Sequence, residues 1–401
     1  MSGSVIAAAA AYSSLHVAAY VCESKSMAWQ LDLAERFKPA WSWGIMVLAL
    51  NGYAPIAAKV LAGFHGLAVL MTASSNGNHL HQRYLALPGM ASAAALFVSW
   101  ALGLSTTGSV AGAVVALHLA SVAHEAVWRL TFPAPLITHM VDVRGLQARH
   151  RQSGRCELFS VTSTYKPEHQ LSAARVRGTA TGAPRVLLYL GGNGELWEHS
   201  LSGVANLARH VNADAVQVNF RGVGTSQGVT KRASDMVEDA ADVIAHLLRT
   251  TPGLTPRDIV IFGHSIGGAV AAHVVARHYP ECGIVIDRSF SSLADAAHGL
   301  VGVPLALTRP VVSVVFGLMN SAKAFPHIPH NRKVVTYHRG DRVISYPRAA
   351  LGRLPDFQRG GQYQDYTIEL TGTVSDPHNC ELKDLRGANE VVARIASFYR
   401  E

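Results

Sequence analysis

A chain of 401 residues can bury one large core or two moderate ones. Its formal charge of +8 comes from scattered cations, with no Lys/Arg-rich run and no nucleic-acid motif, which excludes a nucleic-acid binder and leaves an anionic membrane surface as the better use of the excess. Only 15% of residues are charged, against about 25% in an average soluble domain.

The shortfall is local. Between Pro39 and His124 only Lys59 and Arg83 carry a formal charge, whereas residues 141–401 read as an ordinary soluble domain. Met1 to Tyr20 is rich in Ala but has no cation before Lys25, so no secretory signal peptide is predicted. Tyr84–Leu104 is 21 residues without a charge, and Thr107–Val127 is another 21 with one, Glu125. A helix needs about 20 apolar residues to cross the hydrocarbon layer. The pattern therefore predicts an apolar helical region over 1–140 with a transmembrane hairpin at 84–127. Arg83 and Arg129 fall on one side of that hairpin, and Arg144, Arg149 and Arg151 follow on it, which makes that face cytoplasmic. The alternative is a set of buried helices in a soluble bundle, because Ala and Gly dominate. Cys22, Cys156, Cys282 and Cys380 lie far apart, without metal-type spacing, and indicate no disulfide framework.

From residue 185 short β-branched runs alternate with helical spacing. Strands are predicted at 185–190, 215–220, 258–262, 283–286 and 333–337, and helices at 196–210, 234–249, 269–278 and 388–399. Such alternation implies an α/β fold, a mainly parallel sheet covered by helices on both faces. Residues 141–180 supply the opening strands, with a pattern too weak to place each. Between two strands, residues 291–325 form an apolar cap segment, read equally well as a core-facing helix pair.

Gly263-His264-Ser265-Ile266-Gly267 stands between an apolar strand and an Ala/Val helix. A G-x-S-x-G element in that setting exposes a serine at a sharp turn, where the helix dipole favours a developing anion. Ser265 is therefore the candidate nucleophile; the bland reading is a Gly-rich connector. Asp341 follows the strand at 333–337 and is the candidate acid, with Asp287 its rival. His378 lies 37 residues further, in a polar loop ahead of the last helix; it is chosen as base from 20 histidines because proteins whose G-x-S-x-G turn joins strand to helix in this way carry the histidine after the acid, whereas His327, His330 and His338 all precede Asp341. Backbone donors for an oxyanion are expected from Ile266, directly after the nucleophile, and from Asn193 in the turn Gly191-Gly192-Asn193-Gly194.

At these residues the chain resembles the α/β-hydrolase superfamily over roughly 141–401. Asn219–Gly228 resembles the R-G-x-G-x-S-x-G loop of many members, and Asp287–Leu293 is similar to a segment of membrane-associated α/β-hydrolase-domain proteins. With the Gly-Gly-Asn-Gly-Glu turn, these look most like the CHLPS-type hydrolases of chlamydiae and related bacterial effector hydrolases, although Gly191 stands where many members carry a His. The resemblance implies a serine hydrolase acting on carboxylic esters or thioesters through an acyl-enzyme, with no metal and no organic cofactor. An apolar cap and a membrane anchor favour small-molecule or lipid esters as substrate. An inert hydrolase-like module tethered to a membrane, or an acyltransferase, are the alternatives.

Overall fold

The computed structural model describes Thr138 and residues 141–400, apart from 155, 165, 166, 168, 179–182, 231, 318 and 330. The predicted hairpin at 84–127 lies outside these residues. Among the described residues no helix is long and apolar enough to cross a membrane.

After helix α1 (Val143–Ser153), eight strands form one sheet: β1 (Glu157–Thr162), β2 (Gln170–Val176), β3 (Val186–Leu190), β4 (Asp214–Val218), β5 (Ile259–His264), β6 (Gly283–Asp287), β7 (Lys333–His338) and β8 (Thr367–Leu370). They lie in the order β1-β2-β4-β3-β5-β6-β7-β8. β2 is antiparallel to both its neighbours, and all pairs from β4 to β8 are parallel. Each parallel step needs a crossover, and helices α2 (Trp197–His210), α3 (Ala233–Thr250) and α4 (Ile266–Arg277) supply the first of them. The β6–β7 crossover carries α5 (Leu293–Val301), α6 (Leu305–Val315) and the short α7 (Ser321–Ala324). Helix α8 (Ala388–Phe398) closes the domain.

The predicted strands and helices fall within a few residues of these bounds. Every residue of β5, β6 and β7 is buried, as a strand covered on both faces must be, and this explains their largely apolar, β-branched sequences. The edge strands differ: β1 is mostly exposed or half-exposed, and β8 alternates Ile368 and Leu370 inward with Thr367 and Glu369 half-exposed. The sequence pattern marks neither β8 nor α1, and β1 and β2 are the opening strands expected within residues 141–180.

Helix α4 is buried along Ile266 to Val275, so its Ala, Gly and Val positions pack all round rather than on one stripe. His273 in this helix accepts a hydrogen bond from the Asn320 N–H through Nε2 at 3.1 Å. Burial, with Arg277 nearby, pushes its imidazole down to about 4. The folded state therefore keeps His273 neutral where the unfolded chain binds a proton. Its contribution to stability is full above the ordinary histidine value near 6.5 and is lost as pH falls toward 4. Between pH 6.5 and 4.5 the loss amounts to about 2 kcal/mol. In urea denaturation at pH 6.5 and 4.5, His273→Gln is expected to flatten that pH dependence by up to this amount; equal slopes for wild type and variant would refute the assignment.

The cap segment divides its apolar residues. Val312, Phe316 and Met319 are buried, whereas Leu300, Val303, Leu307 and Val311 are between 40% and 61% exposed. It is thus neither a plain core-facing pair nor wholly displayed.

Candidate active site

Ser265 sits between the last residue of β5 and the first of α4, with φ 53° and ψ −121°. A non-glycine residue in this region costs of order 1–3 kcal/mol and persists only where its surroundings enforce it. Here they do. A Cβ on Gly267 would meet the Leu190 carbonyl oxygen at 2.0 Å, and one on Gly263 would meet the Gly267 carbonyl oxygen at 2.3 Å. Only glycine at both positions lets the strand, the turn and the helix approach this closely. The Ser265 N–H donates to the Asp287 carbonyl oxygen at 3.0 Å, which fixes the turn to the end of β6.

The structure brings Ser265, His378 and Asp341 together. His378 Nε2 lies 3.1 Å from Ser265 Oγ, and its Nδ1 lies 2.7 Å from Asp341 Oδ2. All three residues are buried. Asp341 follows β7, and its Oδ1 accepts the N–H groups of Val343 and Ile344 at 2.9 and 2.8 Å. Those two bonds orient the carboxylate so that Oδ2 faces the imidazole. Asp376 shapes the histidine loop by accepting the His378 and Asn379 N–H groups through Oδ1 and the Asn379 side-chain amide through Oδ2. The Asn379 bond holds the Asp376 carboxyl below its ordinary value.

Asp287 has a different partner. Its Oδ2 lies 2.9 Å from Nδ1 of His264, the residue before Ser265, and it does not meet His378. The rings of His264 and His378 are 4.9 Å apart. Burial pushes the Asp287 carboxyl up, but the Arg288 guanidinium and His264 outweigh it and hold the group below the carboxylate range. His338 is also buried, but its Nδ1 accepts the Gly340 N–H, and His327 is exposed.

The turn after β3 passes beside Ser265: a Cβ on Gly192 would come 3.5 Å from Ser265 Cβ and 3.1 Å from His264 Cδ2. The Gly192 N–H donates to Glu195 Oε2 at 2.7 Å, and the Tyr189 hydroxyl reaches the same oxygen at 3.3 Å. Glu195 thereby pins the turn on which Asn193 is exposed. Ile266 is the first residue of α4, where a backbone N–H has no acceptor within the helix. Neither Glu195 nor Arg288 was singled out from sequence. Both lie in segments that carry the resemblance, the Gly-Gly-Asn-Gly-Glu turn and Asp287–Leu293, but their contacts, made largely to backbone atoms, give neither residue a role in the sequence.

The R-G-x-G-x-S-x-G loop stands apart from this cluster. Arg221 is paired with buried Asp239 at 2.6 Å, and the Ser226 hydroxyl donates to the Asn219 carbonyl at 2.6 Å, so the loop is a brace between β4 and α3.

Residues 186–345 match the family model described as serine aminopeptidase, S33. The chain is 27% identical over 174 residues to a multifunctional-autoprocessing repeats-in-toxin protein of Vibrio vulnificus, a match covering 42% of this chain and 3% of that protein. It is 29% identical over 116 residues to the α/β hydrolase domain-containing protein WAV2 of Arabidopsis thaliana, covering 28% and 36%. The chain thus spans only a small part of the length of these curated relatives. Among solved structures, an α-β hydrolase (ABH) from Vibrio vulnificus superposes with a TM-score of 0.48 at 19% identity, over 63% of this chain and 85% of that one. The Pyrococcus furiosus esterase Pf2001 gives 0.44 at 18%, over 61% and 91%. With the parallel strand order around β5 and the family model matched over residues 186–345, the C-terminal domain has an α/β-hydrolase fold.

Proposed function

We propose that this domain is a serine hydrolase that cleaves carboxylic ester or thioester bonds of acyl or lipid-like substrates. The reading rests above all on the hydrogen-bonded chain from Ser265 Oγ through His378 to Asp341. Ser265 Oγ attacks the carbonyl carbon while His378 Nε2 takes its proton, and Asp341 holds the other ring nitrogen and balances the imidazolium. The backbone N–H groups of Ile266 and Asn193 receive the oxyanion. The imidazolium then protonates the leaving alcohol or thiol. Water, deprotonated by the same histidine, releases the acid and restores the serine.

The lipid-like acyl group is supported by the exposed Leu300, Val303, Leu307 and Val311 of the cap. Membrane attachment through Tyr84–Leu104 and Thr107–Val127, with the domain on the cytoplasmic face, belongs to the same reading and rests on sequence alone; such a protein stays in the pellet through an alkaline carbonate wash. The substrate class is tested with p-nitrophenyl esters of increasing chain length on the full chain. Each further buried methylene is worth about 0.8 kcal/mol, so kcat/KM is expected to rise up to about fourfold per carbon before levelling. A flat series would remove the lipid-like acyl group. Preference for an aminoacyl p-nitroanilide would favour a peptidase, as the matched family description suggests.

A further inference from the structure

The mechanism above leaves unused a buried charged pair that touches the His378 loop, Asp287 and Arg288. Arg288 follows β6 and is 4% exposed, and its φ is 44°. Among the described residues it is one of three non-glycine residues with positive φ, and Ser265 is another. Its backbone N–H donates to the Thr336 carbonyl oxygen at 3.1 Å, so the unusual turn is anchored on β7. Its guanidinium Nη1 donates to the carbonyl oxygens of Pro377 at 2.6 Å, His378 at 3.0 Å and Cys380 at 3.0 Å. The Nη2 and Nε groups hold the Asp287 carboxylate at 2.8 and 3.1 Å. That carboxylate also accepts from Thr336 Oγ1 at 2.5 Å and bonds His264 at 2.9 Å.

We propose that Arg288 is a positioning residue that fixes the loop carrying His378 against the nucleophile turn, with Asp287 as its counter-charge and as the link to His264. The three carbonyls it gathers lie within the four residues from Pro377 to Cys380 of one polar loop, and a loop of that kind has no secondary-structure ladder to hold it. Only a planar fork of donors serves those carbonyls and a carboxylate at once; an ammonium is a single point charge. The residue before Ser265 and the loop that carries His378 thus converge on one ion pair. The proposal rests on the roles given above to Ser265, His378 and Asp341.

The test uses the full chain with p-nitrophenyl acetate and two variants. Arg288→Lys keeps the charge opposite Asp287. Asp287→Asn with Arg288→Gln removes both charges together and so leaves none buried without a partner. Displacing a catalytic group by about 1 Å costs on the order of 100-fold, so kcat is expected to fall by about that factor in each folded variant while KM stays unchanged. The rate of fluorophosphonate labelling falls in parallel, and near-ultraviolet circular dichroism remains native. A folded variant of either kind with wild-type kcat overturns the proposal. Failure of both variants to fold also overturns it, since the pair is then a determinant of the fold. A folded wild type without Ser265-dependent turnover instead defeats the underlying reading of the site.

Discussion

Ser265→Ala is expected to lower ester turnover by at least about 10⁴-fold while leaving the fold intact. The substitution removes one hydroxyl from a turn whose shape is imposed by Gly263, Gly267 and the Ser265 N–H bond to Asp287. None of these depends on Oγ, whose hydrogen bond is to His378. Alanine therefore occupies the same strained backbone, and the loss is chemical: without Oγ no acyl-enzyme forms. The oxyanion donors and His378 remain and can assist only direct attack by water. Initial rates on a p-nitrophenyl ester, with thermal unfolding of both proteins, check this. A variant with a tenth or more of the wild-type rate would show that another group is the nucleophile.

Asp341→Asn is expected to reduce kcat by about 10⁴-fold, again without unfolding. The reason lies in how the carboxylate is held. Its Oδ1 accepts two backbone N–H groups, from Val343 and Ile344, and these bonds keep the oxygen of an asparagine amide at that position. The amide nitrogen then faces His378 Nδ1 and donates to it. The imidazole must carry its own proton on Nε2, where it can no longer accept one from Ser265. The single-site variant thus tests a tautomer rather than a charge alone. It also separates the two acids considered from sequence, because Asp287 meets His264 and Arg288 and has no bond to the His378 ring. An Asp341→Asn enzyme with more than a tenth of wild-type kcat would move the role of orienting acid elsewhere.

How much was legible in the sequence follows from burial. Strands β5, β6 and β7 are covered on both faces and so are rich in β-branched and apolar residues, which made them readable with their helices. Edge strand β1 has little buried surface, and β8 has four residues, too few for an alternation to stand out. The sharp turn at Ser265 was legible because Gly263 and Gly267 are sterically required around it, and Asp341 and His378 were picked out by the Ser–Asp–His order of the superfamily the chain resembles. Arg288 was not: its partners are carbonyl oxygens about 90 residues further on, and backbone acceptors carry no side-chain signature. Glu195 was hidden for the same reason, since it holds the Gly192 N–H. In the cap segment, composition gave the apolar character but not its division between buried Phe316 and exposed Leu307.

The most direct test of the central claim is labelling of the detergent-solubilised full chain with a fluorophosphonate probe, wild type beside Ser265→Ala. An activated serine forms a covalent phosphonyl ester, whereas an ordinary buried hydroxyl does not react. The account predicts strong labelling of the wild type and none of the variant. Absence of labelling in a folded wild type, or equal labelling of both proteins, would contradict it.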